Sequence, residues 1–456
     1  MMDFPDHGSV LRNMLMDRAA GNQIDLILTH ARHQQALNTM IELIRDLRGC
    51  RSASDLYHFQ RRLSELVLEV EQRRAEISRV RKRLGRRGGT LPADAPELGT
   101  GLDPANLDSW VLEAEVFERI WRQLKSIGDA LAWRAFGYDR RVIVALSRGD
   151  AAGPMYGKEG LSKELEVIET TWRERGEFVL HHDLTSALRL GDLSIFQKDG
   201  SVHLQEVKTN QRHRIKKQDQ LLFDTSTVLA DGGTLPSGFT PVSTVPYRTN
   251  LKALREVLSL AHQRTGIQGA VVSPGRAVVA ASQYTAADHY TGETFGDRFN
   301  AELARCRRKI GIKSDDHSLT FTSLDQVARS PARPPWAIYP VAPEVAASLT
   351  ADAIFFFVCV SPDTILTALS RTGVEAEWLQ RLDGTEDWAQ PLLRVAARDG
   401  NQLRFTSLNP EAIACLMLEL VDLTTWSKQV ASTLAGDMAS GVRPWPYFTD
   451  EYKSWA

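Results

Sequence analysis

Asp192, Glu206 and Lys208 are the residues of this chain best placed by type and spacing to do chemistry. Gly191 precedes Asp192, and 13 residues separate it from Glu206-Val207-Lys208. Acids at that distance can meet across a short hairpin. On a strand over residues 202–209, Val202, Leu204, Glu206 and Lys208 share one face. His203, Gln205, Val207 and Thr209 share the other. A solvated strand would group its charges with its other polar residues. Here Glu206 and Lys208 continue the apolar face. A half-buried charge is costly unless it is paired or binds a metal. The pattern therefore marks a candidate site with hard oxygen ligands beside an ammonium.

The flanking sequence supplies elements to position these groups. Residues 160–175 read as a helix, with Leu161, Leu165, Ile168 and Trp172 on one stripe and Gly176 as its stop. Residues 178–182 and 192–196 read as strands. Lys198-Asp199-Gly200 reads as the hairpin turn before the third strand. Residues 215–229 look helical.

This order, over about residues 157–223, resembles the PD-(D/E)XK nuclease superfamily. The resemblance implies a restriction-endonuclease-like core and metal-dependent hydrolysis of phosphodiester bonds. Asp192 and Glu206 would hold Mg²⁺, with Mn²⁺ as a substitute, and the Val207 carbonyl would complete the shell. Lys208 would orient the attacking water. Glu164, in the first helical turn, is the choice for the helix-borne acid and a further metal ligand. Glu169 flanks the apolar stripe about equally, and Glu166 points away. Gln218 would be a further catalytic residue, sharing a helix face with Ile215 and Leu222. RecB-like members carry Gln-x-x-x-Tyr there, and this chain has Leu222. The Pro of the family name is also replaced, by Gly191. A second Glu-x-Lys, Glu451-Tyr452-Lys453, follows Pro444 and Pro446 with no helix after it, so the tripeptide alone means little.

Other chemistries leave weaker traces. Gly153-Pro-Met-Tyr-Gly157-Lys158 is one residue short of a phosphate loop, and Glu159 stands where Ser or Thr belongs. His181-His182-Asp183 could ligate a metal. Adjacent histidines on a strand face opposite ways, so one buried and one exposed ring is expected. Four scattered cysteines show no C-x-x-C spacing and suit a reducing, cytoplasmic setting. The apolar run over 353–360 is far short of the ~20 residues that cross a bilayer. It reads as a buried strand.

The formal net charge is −2, so positive charge is only local. Residues 71–88 carry eight Arg/Lys against two Glu, and 206–220 carry five against one Glu and one Asp. The second patch (Arg212, Arg214, Lys216, Lys217) beside a phosphodiesterase site would contact a nucleic-acid backbone; on charge alone it is equally a solvated helix start.

With 456 residues, the chain is read as a multidomain α+β or α/β protein. Residues 1–88 form an α-helical hairpin or coiled-coil arm. Leu56, Phe59, Leu63, Leu66, Val70, Arg73, Ile77, Val80 and Leu84 alternate spacings of three and four. Ser52 with Asp55 reads as a capping box, and residues 23–47 are the expected antiparallel partner. Residues 89–106 are a linker. Residues 107–312 hold the nuclease-like core behind a helix at 107–136 and a strand at 142–146, with two short strands around Ser273-Pro274-Gly275-Arg276. Residues 313–335 look like a boundary, and 313–456 form a mixed α/β region without a catalytic motif. The expected function is a Mg²⁺-dependent nuclease acting on DNA ahead of RNA, in the manner of bacterial defence or DNA-processing effectors. The alternative is a non-catalytic nucleic-acid-binding or assembly protein on an inactive nuclease scaffold. No membrane is expected as a partner; a homodimer or a partner protein could use the helical arm.

Overall fold

The computed structural model describes residues 24–86, 89–147, 153–207, 224–225, 227, 248–282, 295–312, 318–324, 333–381, 390–399, 402–408 and 410–435. Lys208, Gln218, the basic stretch 212–217, most of the expected 215–229 helix and the second Glu-x-Lys lie outside them.

The N-terminal helix expected over 23–47 is divided. α1 (Ile24–Thr29) and α2 (Ala31–Gly49) meet at His30, whose ring accepts the Arg32 amide and starts α2. α3 (Ala53–Leu84) opens on a complete capping box between Ser52 and Asp55 and stops at Gly85. α4 (Leu107–Ala135) follows an Asn106 cap. The α3 seam packs chiefly along α4, with α2 a lesser neighbour. α4 runs 29 residues against 19 for α2 and offers Val116, Phe117, Ile120, Leu124 and Leu131 as its apolar face.

Residues 142–146, expected as a strand, lie in helix α5 (Arg140–Leu146). Val142, Ile143 and Val144 favour a strand locally. Asp139 instead caps the Arg141 amide, and Ile143 and Leu146, three apart, enter the core together. α6 (Leu161–Arg175) is capped at Gly176 and packs on β1 (Phe178–His181). A single 3₁₀ turn (His182–Leu184), β2 (Leu193–Phe196) and β3 (Val202–Gln205) complete an antiparallel meander in the order β1-β2-β3. The Gln197 amide donates to the Ser201 carbonyl and closes the hairpin where the Lys198-Asp199-Gly200 turn was expected.

α7 (Leu251–Leu260), β4 (Ile267–Ser273), β5 (Arg276–Ser282), α8 (Phe295–Lys309), β6 (Leu319–Thr322), α9 (Pro343–Thr350) and β7 (Ile354–Val360) build a second antiparallel sheet, ordered β4-β5-β7-β6. It takes strands from both sides of residue 313. β7 is buried on both faces, so its sequence is a continuous apolar run. Phe356 and Val358 face the main core, while Phe355, Phe357 and Cys359 meet Phe299, Leu303 and Cys306 of α8. α10 (Pro362–Ser370), β8 (Glu375–Trp378), β9 (Leu393–Asp399), β10 (Gln402–Leu408), α11 (Pro410–Leu418) and α12 (Leu423–Ala435) add a third sheet, ordered β10-β9-β8. The architecture is α+β. Among the described residues no helix is long and apolar enough to cross a membrane. Cys50, Cys306 and Cys359 are free and buried.

Candidate metal centre

The loop before α6 brings a lysine into the acids around the first sheet. Gly157 takes φ +82°, a left-handed conformation that side chains disfavour. The Lys158 amide then turns back onto the Met155 carbonyl at 3.1 Å. The loop is anchored from α3, where the buried Glu71 accepts the Tyr156 amide at 2.8 Å and the Trp121 indole N–H at 2.7 Å. Lys158 Nζ ends 2.7 Å from Glu164 Oε1, 2.7 Å from Asp183 Oδ2 and 3.2 Å from Asp192 Oδ1. Three carboxylates from three elements thus share one cation position. One belongs to the first turn of α6, one to the 3₁₀ turn after β1, and one to the residue before β2.

The second oxygens of two of these acids are held by the fold. Glu164 Oε2 lies 2.9 Å from His181 Nε2 at the end of β1. Asp192 Oδ2 accepts the Val207 amide at 2.7 Å. The Asp192 backbone is fixed as well, its amide donating to Gln205 and its carbonyl accepting from His182, each at 2.9 Å. Gly191, where the PD-(D/E)XK pattern has Pro, has φ +76°. A proline ring, locked near −65°, could not make that turn. The Asp183 carbonyl accepts from the buried Lys125 ammonium of α4. One nitrogen of His182 lies 2.9 Å from the Gly191 carbonyl and the other 2.7 Å from Ser194 Oγ.

Electrostatics suit a cation. Burial works against the Glu164 carboxylate, but hydrogen bonds from His181 and Lys158 outweigh it and hold its pKa below the usual carboxylate range. Burial likewise works against the Lys158 ammonium, yet the Asp183 and Glu164 carboxylates raise its pKa well above the usual lysine value. Lys158 cancels only one of three negative charges. Burial pushes His182 down to about 4, which keeps its ring neutral. The ligand atoms of Glu164, His181 and Asp183 all lie within 4.8 Å of one another.

Of the residues picked from sequence, Glu164 and Asp192 meet on this shared position, and Glu164 is fully buried. Glu169, the competing choice, instead accepts the Tyr57 hydroxyl at 2.8 Å. Glu206 is half-buried just after β3, between the two residues that bond Asp192. β3 was expected to run to 209. Its ladder ends at Gln205, because the next backbone donor, from Val207, goes to the Asp192 side chain. The Val207 group shown at the site is therefore its N–H. The expectation of one exposed histidine is corrected, since His181 and His182 are both buried. β1 ends at His181, so the two rings are not on alternate faces of one strand. Lys158, His181 and Asp183 were not chosen from sequence. Their traces in the sequence were the incomplete phosphate loop ending at Lys158 and the run His181-His182-Asp183, weighed as possible metal ligands.

Compared with known proteins, the chain matches no family model, no curated protein and no solved structure.

Proposed function

We propose that the chain is a divalent-metal-dependent nuclease, with DNA ahead of RNA as substrate. The observation that carries this reading is the convergence of Glu164, Asp183 and Asp192 on one cation position. The donors are hard carboxylate oxygens, which fit Mg²⁺ or Mn²⁺. The order of α6, β1, β2 and β3, with Glu164 on the helix, Asp192 before the second strand and Glu206 after the third, supports a PD-(D/E)XK-like core. A bound divalent ion would stabilise charge on the scissile phosphate and make water a better nucleophile at neutral pH. Glu164, Asp183 and Asp192 would hold it, with Glu206 beside Asp192. His181 and the Val207 N–H would orient two of these carboxylates. Lys158 and Lys208 would supply positive charge toward the phosphate.

One observation favours the alternative of a non-catalytic scaffold: the Lys158 ammonium already occupies the shared position, within 2.7–3.2 Å of all three carboxylates, without a metal. A cleavage assay on DNA and RNA, with Mg²⁺, with Mn²⁺ and with chelator, separates the two. Wild type should cleave only with metal. Asp192→Ala should lose at least ~100-fold in rate, on the scale of removing one stabilising group from an active site, and should still bind nucleic acid. Equal cleavage by wild type and Asp192→Ala would remove the nuclease reading.

A further inference from the structure

We propose that Lys158 is a tethered competitor for the metal, so that a divalent ion enters the centre by displacing the Lys158 ammonium. This rests on reading the acidic cluster as a metal centre, and it concerns how that centre is filled. The ammonium sits at a position that faces all three carboxylates. The other oxygens of Glu164 and Asp192 are engaged by His181 and Val207, which leaves Glu164 Oε1 and Asp192 Oδ1 turned toward the ammonium. Metal and ammonium therefore use the same oxygens.

The two sides of this contact differ in freedom to move. The Glu164 side chain is 1 % exposed and the Lys158 side chain 30 %. Lys158 is carried on a turn between Gly157 and Gly160, outside any helix or strand. The lysine can withdraw to solvent while the acids stay. A divalent ion then offers two charges where the ammonium offered one, against three carboxylates. Lys158 stays charged at neutral pH, so it does not vacate the centre by losing its proton.

The test is calorimetric titration of the full chain with Mn²⁺ and with Mg²⁺, on wild type, Lys158→Met, Lys158→Arg and Glu164→Gln. An ammonium in place nine-tenths of the time would weaken apparent affinity about 10-fold, since only the vacated fraction binds. Lys158→Met should therefore bind about 10-fold tighter than wild type. Lys158→Arg should stay close to wild type, and Glu164→Gln should bind more weakly. Thermal melting gives a second readout, repeated on Lys158→Gln in case the methionine variant folds poorly. Without its ammonium the cluster should melt lower in chelator and gain more from saturating Mn²⁺ than wild type gains. Equal or weaker metal binding by Lys158→Met, an equal gain in melting temperature, or no binding by any form would overturn the proposal. Cleavage measured on the same preparations keeps the two ideas apart. Tighter binding by Lys158→Met with no cleavage by any form would remove the nuclease and leave the competitor.

Discussion

The sheet β1-β2-β3 and the sheet β4-β5-β7-β6 are both antiparallel, yet they bury different chemistry. Around the first, His181, His182, Asp183, Ser194 and Glu164 are buried together. In the second, every residue of β7 is buried and most are apolar, with Phe355, Phe356 and Phe357 in a row. Apolar burial is favourable without any partner. Burial of charge is favourable only when each group is met. β7 can thus lose an apolar contact and stay chemically complete. The first is a web in which removing one member strands the next.

The largest effect we expect from breaking this contrast is on stability, at the apolar sheet. Phe356 is fully buried and meets Trp336 edge-on at 5.5 Å between ring centres. Phe356→Ala should cost about 3–5 kcal/mol, the usual range for a buried aromatic. The metal affinity of the folded fraction should not move. Urea unfolding beside metal titration checks both. A fall in metal affinity in protein still folded would show that the two sheets are not separable.

That division was legible in the sequence only on its apolar side. The β7 run, the Ser273–Arg276 hairpin, the Ser52 capping box and the α6 stripe leave periodic or turn signals, and all are present. The acidic centre leaves less. Lys158 meets Asp183 and Asp192 across 25 and 34 residues, and no periodicity records a pairing of charges at that range. α3 shows the same limit. Its apolar seam was read, but Tyr57, Gln60, Ser64, Val67 and Glu71 form a second buried stripe at the same three-four spacing. Being mostly polar, it passes for a solvated face. It is the stripe that touches α6, β1 and the Lys158 loop. Gly191 stood out in the sequence only as a mismatch to the PD-(D/E)XK pattern, and its positive φ is a conformation that a proline could not adopt.

A second prediction turns on the neutral His182. Its pKa is about 4 in the fold against an ordinary 6.5. The unfolded chain therefore takes up its proton more readily, and acid favours unfolding. His182 contributes its full stability above about pH 6.5 and loses it as pH falls toward 4. The size is about 3 kcal/mol, taking ~1.4 kcal/mol per pH unit. Glu164, held below the ordinary carboxylate range, adds a further loss as pH falls through its folded value. His33, also lowered to about 4 by burial, works in the same direction, so the measurement must be a difference. Unfolding free energies of wild type and His182→Gln from pH 7.5 to 4.5 should converge as pH falls. Parallel curves would mean that the ring titrates alike in the folded and unfolded chain. Phe356→Ala, by contrast, should shift the whole curve without changing its slope.

The smallest effect we expect is at Gln60, and it asks how far the polar sheet depends on its neighbours. β1 is an edge strand. Its outer side is met by one buried side-chain amide from α3. Gln60 Nε2 donates to the Val179 carbonyl at 2.7 Å, and Gln60 Oε1 accepts the His181 amide at 3.0 Å. One glutamine therefore does for β1 what another strand would do, and it does so at the residue that bonds Glu164. Gln60→Ala leaves a buried donor and a buried acceptor unmet, at a cost of about 1–3 kcal/mol. Because the loss falls on the end of β1, exchange of the His181 amide should speed up more than exchange within β7. Metal affinity should fall with it, since His181 would hold Glu164 less firmly. Unchanged exchange at His181 in Gln60→Ala would mean that β1 stands without α3, and that the helical region packs beside the centre without shaping it.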